Sequence, residues 1–203
     1  MCDSSDMLLK FSEIEKGLEK LFCDIPTDIR AELTDLKLKE SPLSTSDLLK
    51  IESILEVQLP DIFKRTILKY DFGGLTLGAV CFGNKENYVE YLIKRNTLQT
   101  KNREKDTYFL AWWGFSKRSL NHIMIGESNE YLILLNIETD GILAYSRTES
   151  YANAKPVASD FEIFVRAAAT IYLRSQNELD NPMLSSIFSS ANLKNRKFWQ
   201  EII

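Results

Sequence analysis

The sequence predicts an α+β fold in which helices cover one face of a mostly antiparallel, twisted sheet. Apolar residues recur at helical spacing near both ends of the chain, as in residues 7–23 and 159–172. Between them, residues 130–146 have the pattern of two strands joined through Asp140-Gly141, a strong hairpin signal. Further helices are expected before and after this core.

Length and composition are those of one globular domain. The chain has 203 residues, of which 44% are hydrophobic and 27% charged, and it can bury a sizeable core. We expect a single domain over residues 1–203, with a core at 44–175, an N-terminal helical extension at 1–41 and a C-terminal helical tail at 176–203.

The same bulk features predict a cytoplasmic protein. The N-terminus does not have the pattern of a signal peptide, and no apolar stretch approaches the ~18 residues of a membrane span. The three cysteines, Cys2, Cys23 and Cys81, have neither metal-ligand nor disulfide spacing. No cofactor or metal is predicted.

The N-terminal extension is predicted to contain two helices. Residues 7–23 form an amphipathic helix that Pro26 ends. Its apolar face carries Leu8, Phe11, Ile14, Leu18 and Leu21 or Phe22. Thr27 and Asp28 can cap a second short helix through Leu36. We expect both helices to pack on the core; the alternative is a partner-binding arm.

Residues 46–75 predict two helices joined at Leu59-Pro60. Ser44 and Asp47 stand in capping-box register, and Ser46 is an alternative N-cap. The apolar face of the first helix carries Leu48, Ile51 and Leu55, and that of the second carries Phe63, Ile67 and Tyr70. Pro60 fits the first turn of the second helix, and Gly73 can end it in a left-handed conformation.

The middle of the chain predicts a strand, a helix, a loop and another strand. Residues 75–82 alternate as a strand in which Gly78 allows a bend. A helix can start at Asn84 and carry Tyr88, Tyr91 or Leu92, and Arg95; residues 96–106 are a polar loop. Residues 107–115 form an aromatic-rich strand, whose alternation points Trp112 and Trp113 to opposite faces.

Three further strands and a helix follow. The strands are predicted at 122–126, 130–136 and 142–146, and the second is central because both its faces are apolar. Ser159 and Glu162 form a capping box for a core-facing helix. Beyond Arg174 the Ser/Asn-rich segment is predicted to be a loop, followed by a short helical tail with Phe198 and Trp199.

This order of elements resembles the SUKH superfamily, the fold of the Smi/Knr-type cell-wall regulators and of many bacterial toxin-immunity proteins. The resemblance covers roughly residues 44–175. The positions that match the family's opening pattern are Ile51, Glu52, Leu59, Pro60, Phe63, Leu68, Tyr70, Gly73 and Gly74. Two departures are Ile62-Phe63, where an Asp-Tyr-type pair is common, and Asp71-Phe72, where an Asn usually precedes the glycines.

The resemblance implies a noncatalytic protein that binds and neutralises a cognate toxin, often a nuclease, in the bacterial cytosol. The alternative is a scaffold or signalling adaptor of the cell-wall-regulator type. A third class, an enzyme, would have to centre on His122, the only histidine, or on Cys81. Neither residue has an activating neighbour in sequence, so we expect no enzymatic activity.

Two sets of residues are candidates for contact with the partner. One of Trp112 and Trp113 is expected on the uncovered sheet face as an aromatic anchor, unless extra helices cover both. Residues 123–180 carry nine acidic and four basic residues, and their candidate contacts with a basic toxin surface are Glu127, Glu130, Glu138 and Asp140. The basic residues at 94–118 are expected on solvated loops, so no direct nucleic-acid or membrane contact is predicted.

Overall fold

The computed structural model of the chain describes residues 7–26, 37–83, 87–97, 111–114, 117–176 and 181–202. The helices in these ranges are α1 (Phe11–Asp24), α2 (Thr45–Leu55), α3 (Asp61–Lys69), α4 (Tyr88–Thr97), α5 (Phe161–Ser175), α6 (Asn181–Ser190) and α7 (Arg196–Glu201). The strands are β1 (Lys39–Glu40), β2 (Tyr70–Asp71), β3 (Thr76–Leu77), β4 (Val80–Cys81), β5 (His122–Glu127), β6 (Tyr131–Asn136), β7 (Ile142–Ser146) and β8 (Lys155–Ala158).

Some predicted elements lie outside the described residues. They are the second short helix at 27–36, the helix start at Asn84 and most of the predicted loop at 96–106. Within the described ranges, α4 begins after Asn87, whose side-chain Oδ1 accepts from the N–H of Val89 at 2.9 Å and so caps the helix.

The main sheet of the described ranges has six strands in the order β3-β4-β5-β6-β7-β8, and every neighbouring pair is antiparallel. A second, two-stranded sheet pairs β1 with β2. The predicted α+β class, with a mostly antiparallel sheet covered by helices on one face, is confirmed.

The β6–β7 hairpin matches the sequence prediction closely. Leu135 pairs with Ile142, and the N–H of Asn136 donates to the carbonyl of Gly141 at 2.8 Å. Asp140 has a φ of 62°, a left-handed conformation that aspartate tolerates better than most residues. The Asp-Gly pair thus turns the chain where the sequence indicated.

The joint between α2 and α3 is held by Glu52. Its carboxylate Oε1 accepts from the N–H of Leu59 at 2.8 Å and lies 3.5 Å from the Lys64 ammonium. The predicted capping box of α2 is present between Ser44 and Asp47. The predicted apolar faces are buried as well: Leu48, Ile51, Leu55, Leu59, Phe63 and Ile67.

The end of α3 differs from the prediction. The helix stops at Lys69, and Tyr70 begins β2 in an extended conformation instead of completing the helix face. Gly73 therefore does not end this helix. Its backbone lies instead against Gly83, where an added Cβ would come within 2.6 Å of the Gly73 carbonyl oxygen. Close approach of two backbones explains glycine at 83.

Residues 75–82 form a hairpin rather than the predicted single strand. β3 and β4 pair with each other, and Gly78 between them has a φ of 60°. The C-terminal segment covers this turn, because the N–H of Ala79 donates to the carbonyl of Ile202 at 3.1 Å.

Helix α5 is the central helix of the fold. Its N-cap is Asp160, which accepts from the N–H of Ile163 at 2.9 Å, so the predicted Ser159–Glu162 capping box is off by one residue. The side chain of Arg166 donates to the carbonyls of Leu8 and Leu9 just before α1, and α1 packs along α5.

The C-terminal segment is more helical than predicted. The predicted loop beyond Arg174 contains α6, whose buried residues Leu184, Ile187 and Phe188 have helical spacing despite the surrounding serines. The predicted helical tail is α7, and its Trp199 is fully buried and donates to the Val157 carbonyl at 3.2 Å. The N–H of Lys194 donates to the same carbonyl at 3.1 Å.

Candidate interaction surface

Strands β5, β6 and β7 separate two apolar clusters. Side chains alternate along a strand, so Ile123, Ile133 and Leu135 face the helices while Met124 and Leu134 face the other way. We call the side away from the helices the open face. Tyr145 lies there beside Met124 and Leu134.

The described part of the predicted strand at 107–115 is not a strand. Residues 107–110 and 115 lie outside the described ranges, and Ala111–Gly114 form a turn closed by the Gly114 N–H to the Ala111 carbonyl at 2.8 Å. We call these four residues the aromatic turn. Because it is a turn, Trp112 and Trp113 do not point to opposite sheet faces; both join the open-face cluster.

Both tryptophans are buried, with exposed fractions of 6% for Trp112 and 9% for Trp113. Their rings meet edge to face at 5.3 Å, and Trp112 meets the ring of Tyr151 in the same way at 5.6 Å. The aromatic pair is therefore a support of the open face rather than a protruding anchor.

Asn96 attaches the aromatic turn to the sheet. Its Oδ1 accepts from the indole N–H of Trp112 at 3.0 Å and from the backbone N–H of Met124 at 2.8 Å. Its Nδ2 donates to the carbonyls of Met124 at 2.9 Å and Leu92 at 2.8 Å. The amide thus makes four hydrogen bonds, the full capacity of two donors and two acceptor lone pairs.

Tyr145 holds the other side of the aromatic turn. Its hydroxyl donates to the Trp112 carbonyl at 2.6 Å, and burial raises the pKa of Tyr145, which keeps the hydroxyl protonated as a donor. With Asn96 on one side and Tyr145 on the other, the turn has a fixed position over β5–β7.

A half-buried apolar rim surrounds this centre. It consists of Leu132, Leu143, Tyr151 and Ala154, which pack against the cluster while remaining partly exposed. A buried aromatic centre with a partly exposed apolar rim is suited to contact with another protein.

Glu127, the first of the four predicted acidic contacts, is paired within the chain. One carboxylate oxygen binds the Arg95 guanidinium and the other binds Arg147, and the carboxylate side chain is only 12% exposed. Both oxygens are engaged, so Glu127 fixes the ends of α4 and β5 rather than presenting a free negative charge.

The other three acids do not form one surface. Glu130 lies in the connection between β5 and β6, at one end of the strands. Glu138 and Asp140 lie in the β6–β7 turn, at the opposite end. The two ends are about 20 Å apart, the length of a six-residue strand. Glu138 is exposed and accepts from the Asn121 amide at 2.7 Å.

Glu130 borders a cleft of about 410 Å³ between the ends of β6 and β7 and helix α7. Glu149, Glu201, Lys155 and Lys197 also line it, so the cleft carries both signs of charge. Tyr131 forms part of the cleft wall. Burial, together with the hydrogen bond to Glu201, raises the pKa of Tyr131 to about 12.

His122 lies at the edge of the open face, where β5 begins. Its Nδ1 is 3.2 Å from Ser119 Oγ and its Nε2 is 3.4 Å from the Asn136 amide nitrogen. Among the described residues, no group of three His, Cys, Asp or Glu side chains is placed to hold a metal ion. None of the described helices is long and apolar enough to cross a membrane.

Sequence reasoning missed Asn96 and Tyr145, which organise the open face. Asn96 was assigned to a polar loop, yet it follows Tyr88 and Leu92 at four-residue intervals on α4. A polar residue at the next position of an apolar helical stripe is the signal that could have identified it. Tyr145 gave no such signal, because a tyrosine in a strand is ordinary.

One family model matches the chain: that of the SMI1 / KNR4 family (SUKH-1), over residues 42–167. This range is more than half of the chain and contains α2–α4, the six-stranded sheet and the first half of α5. No curated protein matches the sequence.

Proposed function

The chain belongs to the SMI1/KNR4 (SUKH-1) family, and from this membership we propose that it is a noncatalytic protein-binding module, an immunity protein. In this role it binds a cognate protein toxin in the cytoplasm and occludes the toxin's active or substrate-binding surface. The toxin is a protein and no cofactor is involved.

The open face is the observation that supports this role best. Association is strongest where a few apolar and aromatic groups are fully desolvated on contact. Leu132, Leu143 and Tyr151 are half-buried and would be covered completely by a partner. Trp112 and Trp113 support them from beneath, and a turn fixed by Asn96 and Tyr145 loses little conformational freedom on binding.

Charges at the margins would orient the partner. Glu130, Glu138 and Asp140 are placed at the two ends of the sheet and can complement a basic surface such as that of a nuclease. Glu127 acts indirectly, because Arg95 and Arg147 hold it.

Growth protection with a matched pair of variants tests the proposal. The protein is co-expressed with a candidate toxin domain, where a neighbouring gene encodes one, and wild type should restore growth. Leu143→Glu places a charge on the open face and should weaken binding roughly 30-fold, a hot-spot loss of ~2 kcal/mol. Leu49→Glu makes the same change at a position on α2 that is 61% exposed, and it should protect like wild type.

Each outcome distinguishes the alternatives. Equal protection by both variants, with unchanged circular dichroism, would move the contact away from the open face. Binding without protection would favour the adaptor role over immunity. Loss of protection in His122→Ala with binding intact would support an enzyme.

A further inference from the structure

The side-chain amide of Asn136, at the end of β6, has only one workable orientation. Its Oδ1 accepts from the backbone N–H groups of Glu138 at 2.9 Å and Thr139 at 3.1 Å. Because an oxygen must occupy that position, the amide nitrogen Nδ2 faces His122 Nε2, 3.4 Å away. The backbone of the β6–β7 turn thus determines which group Asn136 presents to the histidine.

This orientation determines the tautomer of His122. Nδ2 of Asn136 can only donate, so Nε2 of His122 must be the unprotonated nitrogen. The ring proton then lies on Nδ1, which donates to Ser119 Oγ at 3.2 Å. Ser119 Oγ also accepts from the N–H of Asn121 at 3.3 Å, in keeping with an acceptor role. The whole arrangement requires a neutral imidazole.

Protonation would reverse the contact between the ring and the amide. A proton on Nε2 would meet the protons of Asn136 Nδ2, so a hydrogen bond would become a repulsion between two donors. Rotation of the amide would relieve this repulsion only by giving up the bonds to Glu138 and Thr139. Either the ring or the turn has to move.

We propose that His122 and Asn136 form a proton-operated latch on the β6–β7 turn, closed while His122 is neutral and released when it is protonated. The turn carries Glu138 and Asp140, so its release changes one margin of the open face. The latch depends on this chain alone and does not require the proposed immunity role.

The charged groups around the ring act in opposite directions. Burial lowers the pKa of His122, and the nearby Glu138 carboxylate raises it to a smaller extent. Arg118, in the segment before β5, donates to the His122 carbonyl at 3.4 Å. Glu56, at the end of α2, lies near Arg118. Among the described residues, Asp140 is the remaining charge on the turn.

The free energy of unfolding should depend on the protonation of His122. With a folded-state pKa below the unfolded value of about 6.5, the unfolded chain binds more protons as the pH falls through that range. The free energy of unfolding should therefore decline as the pH falls below about 6.5, and His122→Gln should remove this part of the decline.

NMR titration of the full chain between about pH 4.5 and 8 tests the latch. The His122 ring should titrate below its unperturbed value, and the amide signals of Glu138 and Thr139 should shift with the same midpoint. Asn136→Asp offers a second carboxylate oxygen to a protonated Nε2 and should raise the midpoint by about one pH unit or more. Leu120→Asp, the control, adds the same charge two residues from His122 at a position that is 53% exposed, and should raise it less than half as much.

Several results would overturn the latch. They are a wild-type midpoint at or above the unperturbed value, amide signals that do not follow the ring, and equal shifts in the two aspartate variants. If Asn136→Asp does not fold, His122→Gln replaces it. That variant keeps the Glu138 carboxylate in place, so the amide shifts it abolishes belong to the histidine.

Discussion

Asn96 takes the place of a neighbouring strand along part of β5. The N–H and carbonyl of Met124 point toward α4, and Asn96 binds both at 2.8 and 2.9 Å. The same side chain accepts from Trp112 and is only 2% exposed. A buried polar group left without its partner costs about 1–3 kcal/mol, so several groups depend on this one amide.

We therefore expect Asn96→Ala to lower the free energy of unfolding by about 3 kcal/mol or more. The change leaves Trp112 Nε1 and both backbone groups of Met124 without their hydrogen-bond partner. Urea denaturation followed by tryptophan fluorescence measures this loss. Asn153→Ala replaces an exposed asparagine and should change stability by less than about 0.5 kcal/mol. A loss below about 1 kcal/mol in Asn96→Ala would contradict the assigned role.

Single residues were predicted least well where their partners are distant in sequence. Glu127 was identified as an acidic residue, but its partners lie 32 positions away at Arg95 and 20 positions away at Arg147. Charge is visible in a sequence, whereas the neighbours that neutralise it depend on the fold. The same limit applies to Trp112 and Trp113, whose burial depends on contacts with β5–β7.

At the scale of elements, local patterns identified most of the helices and the central hairpin. They failed where one residue changes the chain direction, as Gly78 does between β3 and β4. They also failed in α6, where serines conceal the helical spacing of Leu184, Ile187 and Phe188. Polarity at exposed positions says little about whether a helix forms once one face is buried.

Helix α3 provides a test of packing. Phe63 is 1% exposed, and its ring meets Phe161 of α5 edge to face at 4.8 Å. Phe63→Ala should lower the free energy of unfolding by ~3–5 kcal/mol, the usual loss for a large core truncation. Phe11, a half-buried ring stacked on Tyr70, is the control: its change to Ala should cost less than half as much. A loss below about 1 kcal/mol in Phe63→Ala would show that α3 is misplaced as a core element.

On the scale of the whole molecule, the family match ends before the core does. Residues 42–167 leave out α1, α6 and α7, yet Ile14 and Leu18 of α1 and Phe198 and Trp199 of α7 are buried in the same cluster. Phe164 of α5 meets the Trp199 ring at 5.5 Å. The sequence predicted α1 and α7 but not α6, and the contacts of α1 and α7 with α5 became evident only from the structure.

A fragment covering residues 42–175 should therefore not fold as the full chain does. It would expose the surfaces of α5 that contact α1 and α7, and such surfaces bind hydrophobic dyes when fixed packing is lost. We expect a broad thermal transition and strong dye binding in the fragment, against a sharp transition and weak binding in the full chain. A fragment that melts cooperatively within a few degrees of the full chain would show that the flanking helices are dispensable.

The two hydrogen bonds to the Val157 carbonyl limit how other chains can associate with this one. The last strand of a sheet usually offers its free backbone to any extended peptide, which permits strand donation and fibril growth. Here Lys194 and Trp199 already occupy that carbonyl, and Pro156 in the same strand has no N–H to give. An incoming peptide would have to displace α7 before it could lengthen the sheet beyond β8. Association of copies of this chain by adding strands at the β8 edge is thereby disfavoured.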